Sequence, residues 1–73
     1  MRKTEQFIET TIEILEDEIQ TMKDDVKWFA ESMGTEISCG HYDQASQWAG
    51  KIQAMGAKID AQQKQLSKIK SIL

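Results

Sequence analysis

The sequence predicts an all-α protein: an antiparallel two-helix hairpin, coiled-coil-like, that forms a four-helix bundle by homodimerisation. Apolar residues recur at alternating steps of four and three in both halves of the chain, and a glycine-containing turn lies near its midpoint. Proline is absent and helix-forming residues dominate. We therefore expect one domain over residues 1–73, with helices at about 4–39 and 43–72 and a turn at about 40–42.

The first half carries an unbroken heptad seam. Its a and d positions are Ile8, Ile12, Leu15, Ile19, Met22, Val26, Phe29 and Met33. A strand would need apolar residues at every second position, which the acidic run Glu16-Asp17-Glu18 does not offer. The spacing therefore predicts one long helix.

Gly40 is the predicted end of this helix, because glycine readily takes the left-handed conformation that closes a helix. His41 or Asp43 can then begin the second helix. Gly34 is the competing break, and ending the helix there would leave a loop of about seven residues. We favour Gly40 because Gly34 falls on the outer side of the seam, where glycine costs only about 1 kcal/mol.

The second half repeats the seam with a single polar member, Gln62. Its a and d positions are Ala45, Trp48, Ile52, Met55, Ile59, Gln62, Leu66, Ile69 and Leu73. A lone polar residue in a seam often fixes register at some cost in stability. Alternatively, Gln62 lies in a loosely packed layer and reaches solvent.

One register pairs every a position of one helix with a d position of the other and places the midpoint at the Gly40 turn. The predicted layers include Leu15 with Leu66, Ile19 with Gln62, Phe29 with Ile52, Met33 with Trp48, and Ile8 with Leu73. At the flanks, Glu9 is expected to face Lys70, while Glu18 and Asp25 lie near Lys51 and Lys58. Such exposed pairs disfavour slipped registers more than they stabilise the fold.

A second apolar stripe lies outside the seam and predicts an interaction surface. On the first helix it comprises large residues at c positions, and on the second it comprises small ones at c and f positions. These residues are Phe7, Ile14 and Trp28, and Gly50, Ala54, Ala57 and Ala61. Alanine is also simply a good helix former, which accounts equally well for the second set but not for the first. The large row predicts self-association or a protein partner.

Charge and composition exclude several classes of protein. Residues 1–39 carry four basic and ten acidic side chains, a net of −6, whereas residues 40–73 carry five lysines and two aspartates, a net of +3. The opposite signs indicate attraction between the helices and give no strong nucleic-acid footprint. The single cysteine and the absence of an apolar segment after the basic start predict a cytoplasmic protein without a signal peptide or membrane span.

Few residues offer chemistry, and we predict no enzymatic activity, no cofactor and no metal site. Cys39 and His41, near Glu36 and Asp43, are too few ligands of the preferred type for a closed zinc site. Tyr42, Trp48 and Lys51 could stack on and neutralise a small anionic ligand such as a nucleotide, although packing of Trp48 in the seam is the simpler interpretation.

The sequence therefore predicts a non-enzymatic binding protein: an adaptor, inhibitor or regulator that binds a protein target through helix surfaces. Its size and acidic composition resemble those of small phage or mobile-element antagonists of host proteins. Two alternatives stay open. One is an oligomer that sequesters a small anionic ligand at Tyr42, Trp48 and Lys51. The other is a weak nucleic-acid-binding hairpin that uses the lysines of the second helix.

Overall fold

A computed structural model describes residues 3–72 of the chain. Helix α1 spans Lys3–Ser38 and helix α2 spans Tyr42–Lys70, and the two pack against each other as an antiparallel hairpin. The described residues contain no strand and form a rod of 58 × 15 × 11 Å. The predicted hairpin is confirmed, with helix ends that differ from the expected ones by one or two residues. Leu73, predicted to end the second seam, lies outside the described residues.

The turn is a Schellman motif that ends α1 with its own backbone. Gly40 has a φ of 77°, in the left-handed region. The His41 N–H donates to the Glu36 carbonyl at 2.8 Å, and the Gly40 N–H donates to the Ile37 carbonyl at 3.0 Å. These are the two hydrogen bonds that define the motif. Gly40, rather than Gly34, therefore ends the first helix.

Helix α2 begins directly after this turn. His41 is its N-cap residue, and its carbonyl accepts the first helical hydrogen bond, from the Ala45 N–H at 3.0 Å. The His41 side chain does not cap the helix and instead turns back to Glu36, with Nδ1 and Oε2 2.9 Å apart. Asp43 places a negative charge in the first turn, where the helix dipole favours it.

The seam between the helices is the predicted one. Every described a and d residue of both halves is buried or half-buried. The buried core is nevertheless small, since it consists of Ile12, Leu15, Ile19 and Ala45. A two-helix layer cannot enclose its own seam, and a domain of this size has little stability to spare. Any further surface that covers the seam would therefore stabilise the hairpin.

Far from the turn, one surface hollow shows which residues of α1 lie beside which residues of α2. Gln63 and Leu66 line one surface hollow together with Glu16, Ile19 and Gln20. The hollow thus brings residues 16–23 of α1 beside residues 63–66 of α2, while the layers Leu15 with Leu66 and Ile19 with Gln62 stay predictions. Half-buried Gln62 has a side-chain Oε1 that is buried and lacks a hydrogen-bond partner. The polar layer is thus present but not satisfied within the chain.

The predicted ion pairs at the flanks differ from those observed. Lys70 binds Glu16, with Nζ 3.1 Å from Oε2, and not Glu9. Side chains on a helix lean toward its N-terminus, so in an antiparallel pair Lys70 leans toward the turn and Glu16 leans away from it. The two side chains therefore lean toward each other. Among the described residues, Glu18 and Asp25 form no ion pair with Lys51 or Lys58.

Candidate docking surface and aromatic cluster

The predicted interaction row on α1 is exposed to solvent along its whole length. Phe7, Ile14 and Trp28 are 71%, 52% and 57% exposed. They follow one another at multiples of seven residues on the same helix. The intramolecular seam therefore leaves a line of three large apolar side chains uncovered.

The small residues predicted on α2 are exposed as well. Gly50, Ala54, Ala57 and Ala61 all face solvent, and a Cβ atom built on Gly50 would meet nothing within 4 Å. The small size of Gly50 is therefore not required by packing within the hairpin. It leaves room for close approach by another molecule.

The row on α1 and the c-position alanines of α2 lie on the same flank of the hairpin. In an antiparallel pair the g positions of both helices border the seam on one side, and the e positions border it on the other. The row occupies c positions, next to g, as do Ala54 and Ala61. We call this side, with Phe7, Ile14, Trp28, Ala54 and Ala61, the row flank.

The opposite flank is defined by e positions. There Glu16 and Lys70 form their ion pair, and near the turn Ile37 and Tyr42 are exposed. The two flanks thus differ in the arrangement of their large apolar residues. Those of the row flank follow the rod, whereas those of the opposite flank stand beside the turn.

An aromatic cluster joins the helices on the row flank. Trp48 packs edge-on against Trp28, with ring centroids 5.3 Å apart, and lies 5.5 Å from the Phe29 ring. Lys51 Nζ lies 4.6 Å from the centroid of Trp48, a cation–π contact. Trp28 thus belongs both to the exposed row and to the packing of the hairpin.

Of the three residues predicted to bind an anionic ligand, the structure brings together Trp48 and Lys51. Tyr42 lies at the first residue of α2, is exposed, and makes no ring contact with the cluster. Trp28 and Phe29 surround Trp48 in its place. The contact of Trp28 with Trp48 was not predicted from the sequence, because a c position indicates the direction of Cβ but not the reach of an indole ring.

The cluster offers little free surface to a stacking ligand. The Trp48 ring is contacted by Trp28, Phe29 and Lys51, and the Lys51 ammonium is already engaged with it. A base stacked on Trp48 would have to displace one of these groups. The cluster therefore acts first as a packing element that fixes the inner edge of Trp28.

The cysteine and histidine near the turn are not gathered into a site. His41 is paired with Glu36, and Cys39 is an exposed free thiol. Within residues 3–72, no three side chains of His, Cys, Asp or Glu are grouped so that they could hold a metal ion. Neither helix of this part of the chain has a stretch long and apolar enough to cross a membrane.

Comparison with protein-family models, curated proteins and solved structures finds no match to this chain. Its function is therefore argued from its own surfaces.

Proposed function

We propose that this chain is a non-enzymatic binding protein that docks its row flank onto another protein surface. The observation that carries the proposal is the exposure of Phe7, Ile14 and Trp28 in one line. Burying their exposed parts would contribute roughly 1–2 kcal/mol each, which is large for a domain with so small a core. Adaptor, inhibitor and regulator roles, in the cytoplasm, all fit such a protein.

The shape of the flank supports a helical or otherwise ridged partner. A row of bulky side chains on α1 stands beside a strip of small ones on α2, so the flank presents a ridge next to a shallow channel. Helices pack by placing the ridges of one into the grooves of another. Trp28, held at its inner edge by Trp48, is the natural anchor because aromatic residues dominate protein interfaces.

The two alternative functions have weaker support. A ligand-sequestering oligomer would need the Trp48 face and the Lys51 ammonium, which contact each other in the free chain. A nucleic-acid-binding hairpin would use the lysines of α2, of which Lys64 is paired with Asp60 and Lys70 with Glu16. Salt-dependent binding of RNA or DNA would favour the second alternative, and a co-purifying ultraviolet-absorbing ligand would favour the first.

The test replaces two members of the row, Ile14→Glu with Trp28→Glu, and compares them with a matched pair on the opposite flank. Ile37→Glu with Tyr42→Glu changes the same kinds of residue, an isoleucine and an aromatic, at positions 48% and 69% exposed. We expect both variants to remain helical by circular dichroism. Only the row variant should differ from wild type in binding. Either its mass in sedimentation equilibrium should fall below the wild-type mass, or it should fail to capture the protein that the wild-type chain captures from its native host.

A row variant that keeps the wild-type mass and the wild-type partner would overturn the proposal. Equal loss in both variants would show that binding depends on exposed apolar residues in general and not on the row flank.

A further inference from the structure

The surface area of the chain is larger than a folded protein of its mass normally has. The hairpin exposes 5530 Å² at 8.4 kDa, whereas the scaling for monomeric proteins gives roughly 4,600 Å². The surplus of roughly 900 Å² is close to the area that one partner contributes to a standard interface. Covering one flank of the rod would therefore reduce the accessible surface of the chain to the value expected for its mass.

Charge is distributed unevenly along the rod. Residues 28–53, about a third of the chain, lie next to the turn and contain four charged side chains, Glu31, Glu36, Asp43 and Lys51, out of 21 in the chain. Two of these four are already engaged, Glu36 with His41 and Lys51 with Trp48. The segment next to the turn is thus sparsely charged, and the rest of the rod is densely charged.

Charge is also divided between the helices. The acidic excess belongs to residues 1–39 and the basic excess to residues 40–73. In the far half, therefore, α1 offers carboxylates and α2 offers lysines. A neighbouring molecule that places lysines over α1 and carboxylates over α2 is complementary to this surface.

A second copy of the chain has this complementary pattern in only one of its two face-to-face arrangements. Two row flanks can be related by a twofold axis parallel to the helices or by one that crosses them. The crossing axis puts α1 on α1 and lays the sparsely charged segment of one copy over the densely charged end of the other. The parallel axis puts α1 on α2, with both turns at the same end, so the sparsely charged segments face each other and acid meets base.

We propose that the row flank is covered by a second copy of this chain, in a homodimer whose two turns lie at the same end. This inference rests on the proposed function and names its partner. By the predicted register, in which Phe29 is level with Ile52, the Trp28 of each copy then lies opposite Ala54 of the other, beside Gly50 and Ala57. The largest side chain of the row thus meets small residues across the interface.

The native cysteine gives a direct test without a substitution. Cys39 is the only cysteine, is exposed, and adjoins the turn. A nitroxide on Cys39 in each copy should show a distance of roughly 10–30 Å by pulsed dipolar spectroscopy, because packed helices lie 8–10 Å apart and the label adds its linker. With the turns at opposite ends of the 58 Å rod, the distance would be about 50 Å, close to the length of α1 at 1.5 Å per residue.

A mixed sample supplies the control. Chains labelled at Cys39 are combined with chains carrying Cys39→Ser and Ser67→Cys labelled at position 67, near the end of α2. With the turns together, this mixed pair should be far apart while each like pair is close. Sedimentation equilibrium of labelled and unlabelled protein should give twice 8.4 kDa in both cases.

Three results overturn the inference. They are a Cys39 distance near 50 Å, a short distance in the mixed pair, or a mass of one chain with no dipolar coupling at micromolar concentration. The last of these would leave the proposed function intact if Ile14→Glu with Trp28→Glu still abolished capture of another protein. If the chain is a monomer and the row variant captures the same proteins as wild type, both the homodimer and the proposed function are overturned.

Discussion

Gln62 is the polar member of the seam, and we expect Gln62→Leu to stabilise the hairpin. Its side-chain Oε1 is buried without a hydrogen-bond partner, in the layer predicted to face Ile19, which is the most buried of the four core residues. Leaving a buried acceptor unsatisfied costs about 1–3 kcal/mol. Leucine removes that cost at similar volume and adds apolar contact with Ile19.

The expected gain is about 1–2 kcal/mol, allowing for the half-buried position of Gln62 and for its access to water at the rim. In a domain of this size each kcal/mol raises Tm by about 4–8 °C. The measurement is urea unfolding followed by circular dichroism at 222 nm, with all variants at one protein concentration, since association would make stability concentration-dependent.

Gln53→Leu is the matched control, because Gln53 is exposed on the same helix at a b position, outside the seam and away from the row flank. That change should shift the free energy of unfolding by no more than about 0.5 kcal/mol. A Gln62→Leu variant that is equal to or less stable than wild type would refute the reasoning, and would show that Oε1 finds a partner in solution. Any loss of register specificity should appear as additional amide signals in the nuclear magnetic resonance spectrum.

Two further predictions concern the turn and the register. Gly40→Val should destabilise the hairpin by at least about 1 kcal/mol, because a β-branched residue is strained at a φ of 77°. Gly34→Ala should be neutral or stabilising, since Gly34 lies within α1 and an added Cβ meets nothing within 4 Å; reversed outcomes in urea unfolding would contradict the observed turn. Cysteines at positions 15 and 66, in a Cys39→Ser background, should oxidise rapidly to an intramolecular disulfide, whereas cysteines at 15 and 59 should not. Crosslinking of the second pair but not the first, measured by gel mobility and mass, would disprove the register.

Much of this fold could be predicted from the sequence because heptad spacing, the glycine turn and the near-equal helix lengths all require the same hairpin. Details at the flanks could not. Lys70 binds Glu16 rather than Glu9 because the lean of long side chains decides between two nearby carboxylates. Similarly, Trp28 reaches Trp48 from a position that faces away from the seam.

The candidate surface was predicted as a set of residues but not as a binding event. Phe7, Ile14 and Trp28 are exposed as their c positions indicate, and Tyr42 stands apart from Trp48 and Lys51. Periodicity identifies which side chains the seam leaves uncovered. It carries no information about the molecule that covers them, because that depends on shape and charge outside the chain.

The close turn has a consequence for the order in which the hairpin opens and closes. Contacts beside Gly40 join residues a few positions apart, whereas the Glu16–Lys70 pair joins residues separated by 54 positions. Closing short loops costs less entropy than closing long ones, so pairing should spread from the turn toward the free ends. Three of the four core residues, Ile12, Leu15 and Ile19, lie in the half that closes last. The hairpin would therefore complete most of its buried core late in folding, and amide exchange should be cooperative along the rod rather than fastest at its far half.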